Sequence, residues 1–341
     1  MAEFAKRVEL PVDDVSALLE GRLAISLGLA RRLESEIGAS VAFWLARDND
    51  YQQDAARRAG RTPRDERWLA ELPIADMLRF GWITPRPAAG EEMDACLQFF
   101  GVPDVESWQE HYAPVVSQAA YRTSLSFDAR PASVAAWLRQ GERVAAGIPC
   151  GSWNPEGFRA VLQEVRALTR IKEPARFIPR LQELCAAHGV AVVIARAPSG
   201  CRASGATMWV APDKALLLLS MRFLTDDHFW FTFFHEAAHL LLHRNRELIL
   251  EGVGESVDDD EEANLFETHI EEEANRFAAE TLIPLEHEAV FKRLGQDAIR
   301  VIRFATQIGI APGIVVGQLH FRGLVQRNRL NKLRRRYLWT E

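Results

Sequence analysis

The sequence has few cysteines and no long apolar run. Its four cysteines are scattered and include no Cys-x-x-Cys pair, so neither a disulfide framework nor a thiolate zinc site is indicated. No apolar run reaches the roughly 18 residues of a membrane-spanning helix. The opening MAEFAKRVEL lacks the apolar core of a signal peptide. These absences predict a cytoplasmic protein that does not enter membranes.

Charge of one sign is missing from two stretches. From Glu247 to Glu273 there is no Lys or Arg, whereas from Phe321 to Thr340 there are seven bases and no acid. The net charge of −6 argues against a chain that binds polyanions over its whole surface. The basic stretch is a candidate for contact with nucleic acid, but docking on the chain's own acids is the favoured interpretation.

Helical patterns fill the first half of the chain. The apolar spacing over residues 1–58 predicts short helices separated by turns. This order is the helix-turn-helix arrangement. Residues 59–170 predict a helical spacer domain without a catalytic cluster. A mixed pattern of helices and strands over residues 171–292 predicts an α+β domain. Residues 293–341 predict a basic helical C-terminal segment.

The mixed region shows the order helix, three strands, helix, loop, helix. The apolar runs VAVVIARA, ATMWVAP and KALLLLSMR predict the strands, and the third is a candidate sheet edge on which an extended peptide could pair. An acidic, glycine-bearing loop is expected at about 251–262. A second long helix, IEEEANRFAAETLI, is expected to stop at Pro284.

The apolar run FWFTFFHEAAHLLLH contains two histidines and a glutamate. His235 and His239 are four residues apart on a predicted helix, so both imidazoles lie on one face, as two ligands of a tetrahedral zinc require. Glu236 is left to act on a zinc-bound water. The competing interpretation is a core helix with buried, hydrogen-bonded histidines.

A catalytic zinc needs a third protein ligand, and the second long helix is the best source. Glu271, Ala274, Asn275 and Ala278 form a stripe of small and polar residues at helical spacing. Glu271 can reach the metal from this stripe, and Asn275 can hold a ligand histidine through a hydrogen bond. Glu273 points away from Glu271 on the helix and ranks second as the third ligand.

The motif suggests a mechanism in which zinc activates water and Glu236 takes its proton as general base. His243 extends the histidine face by one turn, but a histidine at a helix end more often contacts the helix carbonyls than a metal. His269 and His320 are candidates for stabilising a developing oxyanion, and nothing in the sequence selects between them.

The pair FHEAAHLLLH and EEEANRFAAETLIP resembles the ImmA/IrrE family of zinc metallopeptidases. The upstream KALLLLSMRFLTDDHFWFTFF is similar to the longer form of that family. That form carries an N-terminal Cro/repressor-like helix-turn-helix of the HigA type, and LARRLESEIGASVAFWLARDNDY resembles the end of such a domain. These resemblances cover most of residues 1–58 and 171–341.

The resemblance implies a minimal zincin fold of three or so strands, an active-site helix and a ligand helix, preceded by an all-helical N-terminal half. It implies zinc as cofactor, His235, His239 and Glu271 as ligands, and Glu236 as the catalytic residue. It also implies peptide-bond hydrolysis in protein substrates such as DNA-binding repressors or antitoxins. Ala238 departs from the family, which usually has Gly there, and the helix-turn-helix lacks its usual first helix.

The N-terminal helices raise an alternative function of a different class. A HigA-antitoxin-like transcriptional regulator with a vestigial or sensory peptidase fold would bind DNA. However, the helix VDDVSALLEG, which would enter the major groove, carries Asp13, Asp14 and Glu20 and no base. Three acids there repel phosphates, which disfavours DNA as a partner. The sequence therefore favours a zinc endopeptidase.

Overall fold

The computed structural model describes residues 1–20, 22–59, 61–84, 91–113, 130–243, 248–251 and 261–339. Contacts divide the chain into two compact units. One comprises Met1–Ala70 and Ile83–Trp108, and the other comprises Glu71–Trp82 and Gln109–Glu341. The division into four domains predicted above stays a prediction, whereas the α+β fold class with a helical N-terminal half is confirmed.

The first unit is helical. Its helices are α1 (Ala2–Arg7), α2 (Val12–Leu19), α3 (Leu27–Ile37), α4 (Val41–Ala59), α5 (Pro63–Glu71) and α7 (Glu92–Phe100); α6 (Ile74–Arg79) falls in the second unit. Ser26 and Ser40 cap α3 and α4, since their Oγ atoms accept hydrogen bonds from Leu29 and Phe43 at 3.2 Å. A small core around Val15 and Leu33 packs α1 to α3 together.

The second unit surrounds a sheet with helices. Its remaining helices are α8 (Pro131–Ala146), α9 (Pro155–Leu168), α10 (Pro174–Ala186), α11 (Asp226–Leu242), α12 (Glu261–Leu282), α13 (Glu288–Phe291), α14 (Ala298–Ile308) and α15 (Pro312–Phe321). Short 3-10 turns occur at Leu285–His287 and Asn331–Leu333. One continuous apolar core joins the sheet to α9, α10, α11, α12, α14 and α15.

Four strands form the sheet within the described residues. They are β1 (Val190–Ile194), β2 (Gly205–Ala211), β3 (Lys214–Leu219) and β4 (Leu248–Glu251), in the order β1-β3-β2-β4. β3 is parallel to β1 and antiparallel to β2, and its last five residues are buried. The expectation that β3 forms a sheet edge is therefore wrong, and the outer strands are β1 and β4.

The second long helix starts earlier than its sequence suggests. α12 begins at Glu261, so DEEANLF belongs mostly to the same helix as EEEANRF. Most of the expected acidic loop, residues 252–260, lies outside the described residues. α12 ends at Leu282, two residues before Pro284, as expected for a residue that cannot continue a helix.

α11 is apolar around most of its circumference, and such helices are buried. Trp230, Phe233 and Phe234 are fully buried in the main core. Thr225 is the N-cap residue, but its side chain does not cap the helix. Its Oγ1 instead lies 3.2 Å from the guanidinium of Arg334. The first turn of α11 is therefore fixed by residues from the end of the described chain.

The basic C-terminal segment, residues 322–339, is not helical apart from one 3-10 turn. It docks on α11, where Arg334 pairs with Asp227 at 2.9 Å and the Arg335 N–H donates to Asp226 at 2.9 Å. The Arg335 guanidinium donates to the Thr169 carbonyl at the end of α9 at 3.0 Å. These contacts agree with docking on the chain's own acids. Of the predicted helical segment 293–341, α14 and α15 are helices on either side of Gly309, and the basic residues after Phe321 are not α-helical.

No single described helix is long and apolar enough to cross a membrane. The pair α14 and α15, bent by 112°, passes the same test by length and composition alone.

Burial of Asp226 generates a testable pH dependence. Asp226 is fully buried, and the glycine at position 313 of α15 packs so closely that a Cβ there would overlap its carboxylate. Burial raises the pKa of Asp226 from 3.8 to about 6. Because the folded pKa exceeds the unfolded one, the folded state retains the proton longer as pH rises.

We therefore expect Asp226 to lower the free energy of unfolding as pH rises from about 4 to about 6, by on the order of 2–3 kcal/mol. Asp226→Asn should remove this part of the slope in urea unfolding measured between these pH values. Asp213→Asn, at an exposed position, is the control. Equal slopes for wild type and Asp226→Asn would contradict the prediction.

Candidate metal centre

Three side chains from α11 and α12 converge on one point. His235 and His239 are each 1% exposed, and their Nε2 atoms are 2.9 Å apart. The Oε2 atom of Glu271 lies 3.1 Å from Nε2 of His235 and 3.8 Å from Nε2 of His239. Among the described residues, these three form the group with the geometry to hold a metal ion. They are called the metal group below.

The spacing of the three donor atoms fits a small tetrahedral ion. Zinc binds histidine nitrogen and carboxylate oxygen at about 2.0–2.2 Å, so two ligand atoms on one tetrahedral edge are about 3.3 Å apart. The three observed separations, 2.9, 3.1 and 3.8 Å, fall on both sides of this value. Two imidazoles and one carboxylate also leave a fourth position for water or substrate, as catalytic zinc sites do.

Asn275 fixes the orientation of His235. The Nδ1 atom of His235 lies 3.1 Å from Oδ1 of Asn275. Because an amide oxygen only accepts, Nδ1 of His235 carries the proton and its Nε2 lone pair faces the metal group. This contact agrees with the role expected for Asn275 from the helix stripe.

His239 is oriented by a chain of two further residues. Its Nδ1 lies 3.1 Å from Nδ1 of His243, and Nε2 of His243 lies 3.0 Å from Oε2 of Glu273. A carboxylate accepts from Nε2 of His243, so Nδ1 of His243 is left to accept from Nδ1 of His239. The lone pair of His239 Nε2 then faces the metal group. The bond from His243 also lowers the pKa of Glu273.

Glu236 is fully buried and lies against the start of β2. A Cβ at Gly205 would overlap its carboxylate, so the missing side chain is what admits Glu236 between helix and sheet. A glycine within a strand pattern signals such a close approach. The sequence shows this glycine within a strand, but the sequence alone does not indicate that Glu236 is the side chain it admits.

The close packing of α11 and α12 depends on small residues. Ala274 and Ala278 share the face of α12 that carries Glu271 and Asn275, and both are fully buried. Ala238 on α11 is also fully buried, whereas Ala237 lies on the side of α11 opposite the two histidines and packs in the main core. The hydrogen bond between His235 and Asn275 places the polar members of the α12 stripe against α11. The small stripe therefore lets the two backbones approach until Glu271 reaches the histidines.

The remaining histidine candidates are engaged elsewhere. The side chain of His243 was expected to contact carbonyls at the end of its helix. It instead lies between His239 and Glu273 and contacts both. His269 lies 3.6 Å from the other oxygen of Glu273 on an exposed part of α12. His320 donates to the carbonyl of Arg329 at 2.9 Å. Neither of the last two is placed by these contacts at the metal group.

Comparison with known protein families agrees with this geometry. Residues 185–316 match the model of the IrrE N-terminal-like domain of the M78 peptidases. The match spans the sheet, both metal-group helices and the first half of α15. It supports the ImmA/IrrE resemblance over this range and supports a metallopeptidase-type function. No curated protein matches the chain significantly. The N-terminal helix-turn-helix stays a prediction.

The hydrogen-bond chain through His243 can be tested by metal binding. His243→Leu removes the acceptor for His239 Nδ1, so we expect metal affinity to fall by about 10–100-fold. The measurement is competition for zinc with a chromophoric chelator. His243→Gln, which keeps an acceptor and a donor, should restore part of the affinity. Exposed Glu272→Gln on α12 is the matched control. Unchanged affinity in His243→Leu would refute the orienting role.

Proposed function

We propose that the chain is a zinc-dependent endopeptidase. The observation that carries this proposal is the convergence of His235, His239 and Glu271, with separations that suit tetrahedral zinc. The match to a metallopeptidase-type domain supports it. All three side chains offer hard or intermediate donors, and no cysteine belongs to the group, which argues for a hydrolytic zinc site over a structural thiolate site.

In this mechanism each side chain has one role. His235 and His239 present Nε2 lone pairs, because Asn275 and His243 hold their Nδ1 protons. When bound, zinc supplies Lewis acidity that activates a water and polarises a carbonyl. The Glu236 carboxylate accepts the proton of the attacking water and delivers it to the leaving amine nitrogen. Glu236 follows His235 directly in α11 and is fully buried against the start of β2.

The substrate in this proposal is an extended segment of a regulatory protein, such as a DNA-binding repressor or an antitoxin. An extended segment can add to the outer strand β4, which follows α11 in the chain and pairs only with β2 among the described strands. The buried strand β3 is unsuitable for this role because both of its edges are already paired.

A DNA-binding regulator is the weaker alternative. Asp13 and Glu20 are exposed at α2, so the acids of the candidate recognition helix face solvent. The basic C-terminal segment, the better candidate by charge, uses Arg334 and Arg335 for contacts within its own unit. Neither feature favours binding to phosphates.

The catalytic role of Glu236 gives a direct test. Glu236→Gln keeps the shape of the side chain but removes the base, so we expect peptide hydrolysis to fall by at least about 10²–10⁴-fold. Zinc content, measured by atomic emission on the purified protein, should stay near that of wild type. A variant that hydrolyses peptides as fast as wild type would overturn the assignment of Glu236.

Removal of single carboxylates separates the two candidates for the third ligand. Glu271→Ala should abolish stoichiometric zinc binding, because two histidines alone hold the ion weakly. Glu273→Ala should retain zinc with affinity reduced by about 10–100-fold, since it acts through His243. Both are measured by equilibrium dialysis against zinc. Normal binding by Glu271→Ala together with complete loss in Glu273→Ala would reverse the assignment.

A further inference from the structure

A cavity in the second unit lies along α11, the helix that carries His235 and His239. Its volume is about 340 Å³, within the general size range of ligand sites. α11 contributes Asp227, His228 and Phe231, and α15 contributes Phe321 with its neighbours. The C-terminal segment supplies Arg327 and Arg334. The segment that was a nucleic-acid candidate by charge therefore forms a wall of this cavity.

The cavity follows the same face of α11 as the metal ligands. Phe231 and His228 precede His235 by four and seven residues, so all three point to one side of the helix. The rings of Phe231 and His235 are 6.4 Å apart. Because each helical residue rises about 1.5 Å, Phe231 and His228 lie roughly 6 and 10 Å from His235 along the axis of α11. An extended peptide covers that distance with about two to three residues.

The walls are aromatic and open to solvent. Phe231 packs against Phe321 with ring centroids 5.8 Å apart, and Phe223 stacks on His228 at 4.3 Å. Phe321 is 65% exposed and Phe223 is 43% exposed. Exposed aromatic rings clustered at one opening, with polar residues around them, mark a binding site for an apolar group.

The charges at the cavity do not balance. Arg334 and Asp227 form an ion pair at 2.9 Å and neutralise each other. The guanidinium of Arg327 has no carboxylate partner among the described residues, and Arg327 is exposed. One cation therefore remains at the opening of an apolar cavity, which favours a ligand with a carboxylate beside its apolar side chain.

We propose that this cavity binds a bulky apolar side chain of the peptide substrate, with an acidic residue next to it held by Arg327. The proposal rests on the proposed peptidase function for the identity of the ligand as a peptide. Binding itself does not require hydrolysis, so the two proposals can fail separately. Phe321 and Arg327 are then specificity-determining residues outside the metal group.

The test uses the full chain with Glu236→Gln, loaded with zinc, and three fluorescein-labelled decapeptides. The first has a central Phe flanked by Glu, the second replaces both Glu with Gln, and the third replaces Phe with Ala. Affinity is measured by fluorescence anisotropy at pH 8, where histidine is in general uncharged. We expect the Glu–Phe–Glu peptide to bind about 5–10-fold tighter than the Gln peptide, and more tightly than the Ala peptide.

Two variants examine the walls separately. Arg327→Glu should abolish or reverse the preference for the Glu peptide over the Gln peptide. Arg329→Glu is the control, because it makes the same charge change at an exposed position outside the cavity lining, and it should keep the preference unchanged. Phe321→Ala should weaken the Phe peptides by about tenfold and leave the Ala peptide unchanged. Zinc content and circular dichroism should be the same in all variants, which excludes unfolding as the cause.

Other outcomes overturn the inference. Equal effects of Arg327→Glu and Arg329→Glu would show general electrostatic attraction and no specific site. Equal binding of the Phe and Ala peptides, or no binding of any peptide up to millimolar concentration, would exclude the cavity as a side-chain site. If the predicted preferences appear but the protein with Glu236 intact cleaves no peptide, the cavity stands and the peptidase proposal fails. If the protein cleaves peptides but shows none of these preferences, the peptidase proposal stands and the cavity proposal fails.

Discussion

The packing of α12 against α11 is the interaction on which the site depends. His235 and His239 share a helix face for a local reason, the pitch of the helix. Glu271 arrives from a position 36 residues after His235, and only the packing of α12 against α11 brings it within 3.1 Å of that histidine. The same approach brings Asn275 to His235 and Glu273 to His243, the residue that orients His239. One helix contact therefore sets both the ligands and the groups that orient them.

Much of the metal group is predictable because its parts follow helical spacing. Periodicity of 3.6 residues alone places His235 and His239 on one helix face, and Glu271 and Asn275 on one face of another helix. The contact between His243 and Glu273 does not, since it needs the axial offset between two helices. The central place of β3 was also missed, because a run of leucines indicates burial but not which strands lie on either side.

The charge of the C-terminal segment predicts what the segment contacts. The sequence does not predict the irregular backbone that the segment adopts. Seven bases without an acid suggested a partner of opposite charge, and Asp227 at the start of α11 is one such partner. Arginine side chains also bind backbone carbonyls, as Arg335 does at Thr169. These contacts hold the segment in an irregular conformation that helical propensity cannot predict, because tertiary interactions outweigh it.

The contacts of Arg335 have a consequence for how the protein folds. Its backbone N–H meets Asp226 across 109 residues of sequence, and its guanidinium meets Thr169 across 166. Closing loops of that length is entropically costly and slow compared with forming a helix. We therefore expect these contacts with the first turn of α11 to form after the local helices. The two histidines of the metal group thus lie on a helix whose first turn depends on residues 109 positions later in the chain.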